Sequence, residues 1–242
     1  MILGVDLGTS GLKCVITNLN EKIVCSTSTK LNINQFNGNC FEQNPDDWIV
    51  ALETCLHNLK LENIDFSNIE AISFSAQMLG CIIIDEHDKP IRPAILWNDG
   101  RSYLESQYLE NNFTKELLPS GCRPNPGLLL PKLLWIKNNE PNNFKKIKKI
   151  LLPKDYLKLF LTGSFATDPS DASGTMLFDL IRKDWNQNLI DELEIDRDWL
   201  PEVHPSDKDI GKLRQTLINK WNFNKKIKLI NGAGDNAAAA LG

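Results

Sequence analysis

No apolar run in this 242-residue chain approaches the ~18 residues needed to span a bilayer. The N-terminus also lacks the charged region and cleavage site of a secretory leader, because Ile2-Leu3-Gly4-Val5 leads straight into a strand pattern. Positive charge is scarce as well. The formal net charge is −4, so the chain as a whole has no attraction for nucleic acid. Its one basic cluster, Lys145, Lys146, Lys148 and Lys149, lies between apolar stretches and reads as a solvated face. The six cysteines (Cys14, Cys25, Cys40, Cys55, Cys81, Cys122) form no CxxC pair, which argues against a zinc site or a disulfide framework. Reduced thiols in the cytoplasm are the simplest reading, with neither membrane nor nucleic acid as partner. His57, His87 and His204 share no motif, and no internal repeat or low-complexity linker interrupts the chain. What remains is an ordinary globular composition, 42% hydrophobic and 24% charged.

The first thirty residues read as three strands, 2–6, 12–17 and 23–28, separated by short turns and so forming an antiparallel meander. Asn44-Pro45-Asp46-Asp47 then opens a helix: an Asn cap, Pro at the first helical position and acids in the first turn. Trp48, Leu52, Cys55, Leu56 and Leu59 follow at helical spacing. Residues 69–74 and 81–84 are strand-like, and helices are expected over 103–113, 131–138 and 154–161. Near the end, 227–230 is a short strand, and 237–241 has strong helix propensity but stops after little more than a turn. A domain rarely ends as a helix begins, so a longer natural chain is expected.

Two turns carry candidate chemistry. In Gly4-Val5-Asp6-Leu7-Gly8-Thr9-Ser10-Gly11 a strand delivers Asp6 to its end, and a turn of Gly, Thr and Ser follows. Glycines let the backbone approach an anion closely, and backbone N–H groups with the Thr9 and Ser10 hydroxyls can donate to phosphate oxygens. Asp6 could hold Mg²⁺ directly or through water. A tight hairpin whose Asp merely caps the turn explains this motif equally well. Leu229-Ile230-Asn231-Gly232-Ala233-Gly234-Asp235-Asn236 repeats the logic with Asp235 at a helix start. Taken alone, that aspartate reads more simply as an N-cap. It is no dinucleotide fingerprint, since position 237 is Ala rather than a third Gly. Two such turns in one chain are harder to dismiss than either alone.

Gly4-Val5-Asp6-Leu7-Gly8-Thr9-Ser10 resembles the first phosphate motif of the actin–Hsp70–sugar kinase superfamily. Three further segments narrow the resemblance to the FGGY carbohydrate kinases, and among these to the bacterial xylulokinases. They are Ala76-Gln77-Met78-Leu79-Gly80, Pro93-Ala94-Ile95-Leu96-Trp97-Asn98-Asp99-Gly100-Arg101 and Gly232-Ala233-Gly234-Asp235-Asn236-Ala237. Residues 151–157 and 168–175 are similar too, so the likeness runs over essentially the whole chain.

The resemblance implies an α/β fold, a ribonuclease-H-like lobe with a mixed sheet flanked by helices. Residues 1–242 would be the N-terminal, sugar-binding lobe, with the ATP-binding lobe outside this chain. ATP and Mg²⁺ are the implied cofactors, and D-xylulose the first sugar to consider. By the same resemblance Asp235 accepts the proton of the attacking hydroxyl, and Asp6 orients Mg²⁺ and the transferring phosphate. Gly8, Thr9 and Ser10 meet phosphate oxygens, while Met78, Leu79 and Asn236 meet the sugar. Trp97 would stack on the sugar, although core packing explains it equally well. Asp99 and Arg101 would line the pocket, although an ion pair fixing the loop is at least as good a reading.

One departure stands out: Leu79 takes a place where xylulokinases typically carry His. It cannot bond a hydroxyl, so another pentulose, a deoxy sugar or a polyol is an open alternative. A non-catalytic sugar-binding single lobe is a second alternative, and a chaperone or actin-like protein a third. The Trp-Asn-Asp-x-Arg block speaks against that third reading. A lobe that packs on a partner should expose an apolar patch, through which a homodimer could form.

Overall fold

The computed structural model describes residues 1–241. The expected meander is present as β1 (Ile2–Leu7), β2 (Gly11–Thr17) and β3 (Ile23–Lys30), each antiparallel to the next. Strand alternation sends Leu3, Val5 and Leu7 of β1, with Leu12, Cys14 and Ile16 of β2, into one face. Helix α1 (Pro45–Leu61) covers that face with Trp48, Ala51, Leu52, Cys55, Leu56 and Leu59. Its start is fixed by the Asn44 side chain, which accepts the Asp46 N–H.

The chain next lays the strand Ala71–Ala76 parallel to β1, with Leu7 opposite Ala76. Much later Lys228–Leu229 and Ala233–Gly234 pair in parallel with the far side of Ala71–Ala76. Leu229 faces Ile72 and Ala233 faces Ser75, so four steps on one strand match three on the other. The extra residue makes a bulge, and Gly232 lies within it at φ +76°. The sheet is therefore mixed, ordered Lys228–Leu229, Ala71–Ala76, β1, β2, β3.

A second apolar cluster lies beyond the short strand Ile82–Ile84, which pairs antiparallel with Lys149–Leu151. This strand is a wall between two cores. Ile82 and Ile84 belong to the sheet's core, and Cys81 and Ile83 to the other, which is why the run is apolar without alternation. Helices Tyr103–Asn112 and Leu129–Asn139 pack in the second cluster, and Pro153–Thr162 in the first. The lysine cluster is largely solvated, as expected: Lys145, Lys146 and Lys148 are exposed. Among the described residues no helix is long and apolar enough to cross a membrane.

Candidate functional site

Three parallel strands end at one level: β1 at Leu7, its neighbour at Ala76, and the last strand at Gly234. In open α/β sheets the crevice beyond such strand ends is where ligands bind. Asp6 is exposed at the end of β1, and Asp235 is half-buried just past the end of the last strand. One strand separates them, so their backbones are two strand spacings apart, about 10 Å.

The turn after β1 is tightly built. The Gly8 N–H donates to the Gly11 carbonyl at 2.9 Å. A Cβ on Gly11 would stand 2.9 Å from the Thr29 carbonyl oxygen, so β3 can pass only because that Cβ is missing. Thr9 is already engaged within the protein. Its hydroxyl donates to Gln77 Oε1 at 3.0 Å and accepts the Trp97 indole N–H at 2.9 Å. Gln77 in turn donates to Gln43, which also accepts the Trp48 N–H and donates to the Thr9 carbonyl. The hydroxyl proton of Thr9 is committed to this buried amide chain because Gln77, 2% exposed, has to be satisfied. Ser10, exposed, is the hydroxyl left facing solvent.

Met78 and Asn236 come together, with Asn236 Nδ2 at 3.9 Å from Met78 Sδ. Met78 lies across Gly234, where an added Cβ would meet its Sδ at 2.7 Å. Leu79 adopts φ +67°, a conformation L-residues seldom take. Its Cδ2 packs where a Cβ on Gly174 would be, only 2.3 Å away. Lys132, fully buried, donates to the Leu79 carbonyl at 2.8 Å and the Gly127 carbonyl at 2.6 Å.

Trp97 is 48% exposed, so the core reading does not hold for it, and its indole N–H is anchored on Thr9. Asp99, by contrast, is 1% exposed. Both its oxygens bond Arg101, at 2.8–3.0 Å, and Oδ2 also accepts the Phe41 N–H at 2.6 Å. Arg101 continues to Glu42 Oε1 at 2.7 Å, and Glu42 also binds Arg92. Asp99 and Arg101 thus form a buried ion network that fixes the loop bearing Trp97.

Partial burial raises the pKa of Asp235; the Asn236 N–H opposes this, and the charge of Asp6 adds to it. A carboxylate made more basic in this way suits proton abstraction. Among the described residues no three His, Cys, Asp or Glu side chains gather as a metal site. A cation between Asp6 and Asp235 would then rest on one or two carboxylates, water and phosphate oxygens. Mg²⁺ accepts that donor set, so the residues fit it. The sequence reading missed the Gln43–Gln77 amide pair, Lys132, and a buried charge cluster of Lys154, Asp155, Lys158, Asp168 and Asp171. The one signal was polar and charged residues inside apolar runs.

A mixed sheet in this order, flanked by helices and with carboxylates at the ends of its parallel strands, places the lobe in the ribonuclease-H-like fold class. The match to known proteins is specific: the chain belongs to the FGGY family of carbohydrate kinases, whose N-terminal domain model matches residues 1–242. A xylulose kinase of Lactococcus lactis is 40% identical over 243 residues, covering 100% of this chain and 48% of that protein. The xylulose kinase of Escherichia coli is 36% identical over 242 residues, again 100% of this chain and 50% of the relative. The chain thus spans about half the length of the curated relatives it matches. The crystal structure of a ligand-bound xylulose kinase from Lactobacillus acidophilus superposes at TM-score 0.94 with 29% identity. It covers 99% of this chain and 49% of that one. A gluconate kinase from the same organism reaches TM-score 0.92, also at 29% identity, covering 98% of this chain and 48% of that one.

Proposed function

We propose that this chain is the sugar-binding lobe of an ATP-dependent carbohydrate kinase, and that the whole protein phosphorylates D-xylulose to D-xylulose 5-phosphate. The observation that carries the reading is Asp235, half-buried and raised in pKa, at the mouth shared with Asp6. Asp235 takes the proton of the attacking sugar hydroxyl as its oxygen bonds to phosphorus, and ADP leaves. Asp6 would hold Mg²⁺, which offsets charge on the transferring phosphoryl group. The Gly8–Ser10 turn lies beside that group. Met78, Asn236 and the exposed Trp97 form the sugar wall, with Asp99 and Arg101 fixing the loop that carries Trp97. We assign the adenosine part of the donor site to a second lobe, and the protein to the cytoplasm, where its six free thiols would stay reduced.

A second substrate reading has its own observation. Leu79 is turned onto Gly174 and offers no polar atom but its backbone, and xylulose and gluconate kinases match the fold almost equally. Another pentulose or a polyol is therefore the alternative acceptor. The test is ADP release by the protein expressed from its whole reading frame, with ATP, Mg²⁺ and a panel of D-xylulose, D-ribulose, L-ribulose, erythritol, glycerol and gluconate. Turnover with D-xylulose, abolished by Asp235→Ala, is expected. Turnover with a different acceptor moves the assignment to that acceptor. Folded protein silent across the panel refutes the kinase and leaves a sugar-binding module.

A further inference from the structure

Five charged side chains that this reaction does not use are packed beneath the turn presenting Asp235. Lys154, Asp155 and Lys158 belong to the Pro153–Thr162 helix; Asp168 caps the Pro169–Ser173 helix and Asp171 lies within it. All five are 0 or 1% exposed. Lys154 Nζ stands 2.8 Å from Asp168, 3.3 Å from Asp171 and 3.4 Å from Asp155, and Lys158 Nζ is 2.9 Å from Asp155. Burial works against the charge of Lys154, yet the three carboxylates hold it above the usual lysine range. Burial pushes Asp171 up to about 7 and Lys158 down to about 8. Buried ions of this kind are often matched or bettered in stability by apolar residues of the same volume, so stability alone is a poor account of them.

Two hydrogen-bonded lines leave the cluster, and both end on the segment 231–234. Lys158 donates to Asn231 Oδ1. The Asn231 amide then donates to the carbonyls of Thr167 and His204 at 2.9 Å and of Pro205 at 3.3 Å. On the other line Asp168 Oδ2 accepts the Ser170 hydroxyl at 2.6 Å and the Ser206 hydroxyl at 2.9 Å. Ser170 Oγ accepts the Gly234 N–H at 2.9 Å, and Gly234 is the residue before Asp235. Asp171 packs on the same glycine, its Oδ1 only 3.1 Å from where a Cβ would stand.

We propose that this buried cluster is a positioning site for Asp235, gripping one end of its turn through Lys158 and Asn231 and the other through Asp168, Ser170 and the Gly234 N–H. The proposal rests on the kinase reading for the role of Asp235, but the anchoring itself is independent of it. Hydrogen bonds to ionised groups are shorter and stronger than neutral ones. A base must also be held to a fraction of an ångström, because a 1 Å misplacement can cost about 100-fold in rate. Ser170 is the most informative link, since its hydroxyl alone joins Asp168 to the Gly234 N–H and its removal deletes one oxygen.

The test uses the protein from its whole reading frame, with Ser170→Ala and Ser170→Thr compared with the parent. Amide hydrogen exchange read at Gly234 should speed up roughly tenfold in Ser170→Ala and stay near the parent value in Ser170→Thr, which keeps the hydroxyl. In the kinase assay Ser170→Ala should lose roughly tenfold in kcat, with the sugar KM within about twofold and partial recovery in Ser170→Thr. Unchanged exchange at Gly234, or equal loss of kcat and thermal stability in both variants, overturns the positioning role. A parent inactive on every sugar refutes the kinase reading instead, and the exchange result still decides the anchor.

Discussion

Gly232→Ala and Gly38→Ala form a matched pair of perturbations. Both glycines have nearly the same positive φ, +76° and +78°, so both alanines meet a left-handed penalty of about 1–2 kcal/mol. Around Gly38 nothing lies within 4 Å of the added Cβ, and its cost should stop there. At Gly232 the Cβ would fall 2.0 Å from the Phe74 carbonyl oxygen, 2.8 Å from its carbon and 2.9 Å from its nitrogen. Phe74 is in the middle of the strand Ala71–Ala76, held between β1 and the last strands, so it cannot yield as a surface side chain would. Overlap with fixed atoms adds about 1–3 kcal/mol more, for a total of about 2–5 kcal/mol. For a domain of this size that is a melting-point drop of about 4–20 °C, against about 2–8 °C for Gly38→Ala. Urea unfolding followed by fluorescence and circular dichroism measures both. If the two variants unfold within about 0.5 kcal/mol of each other, the bulge is not pinned on Phe74 and the account of how Asp235 is presented fails.

Three further outcomes follow from the site. Asp235→Asn should lose about 10²–10⁴-fold in kcat yet unfold later than the parent at pH 7. Burial and Asp6 raise the Asp235 pKa against the pull of the Asn236 N–H, so the folded state holds that proton more tightly than the unfolded chain. Stability from this group is complete below the ordinary Asp range and is lost as pH rises through the folded pKa. The gain should thus vanish at pH 3, and a gain equal at both pH values would refute the assignment. Burial lowers Lys132 from 10.5 to about 7, so the unfolded chain binds the extra proton between those values and parent stability should climb from pH 7 to 10. Lys132→Met should flatten that climb while stranding the Leu79 and Gly127 carbonyls, at about 1–3 kcal/mol; denaturation at both pH values separates the two effects. Trp97→Phe keeps a ring but loses the bond to Thr9. It should raise the sugar KM about 3–10-fold with kcat within about twofold, and an unchanged KM would remove the indole from the sugar wall.

The longer elements were legible in the sequence, because local rules create them, whereas short strands such as Asn34–Phe36 and Phe178–Asp179 were not. The meander shows in apolar runs cut by turns, and α1 in its Asn44 cap, Pro45 and spaced core residues. The structure extends β1 from 2–6 to Ile2–Leu7 and the fourth helix from 154–161 to Pro153–Thr162, shifts of a residue or two. Both aspartate turns could also be located, since glycine, hydroxyl and carboxylate at a strand end are local chemistry.

What the sequence by itself determined, then, was the longer elements and the place of two carboxylates, Asp6 and Asp235, at strand ends. Only the tertiary structure decided what each neighbour of those carboxylates does. The Thr9 hydroxyl donates a hydrogen bond to Gln77, which lies 68 residues away. Asp99 and Arg101 are buried with Glu42, Trp97 is exposed beside them, and Lys154 and Lys158 lie under a turn some 75 residues further on. The physical reason is that a hydroxyl, an indole or a lysine has no fixed role until burial determines which of its hydrogen bonds must be made within the protein. Burial is set by which strand lies beside which, and that pairing brings together residues no local pattern connects.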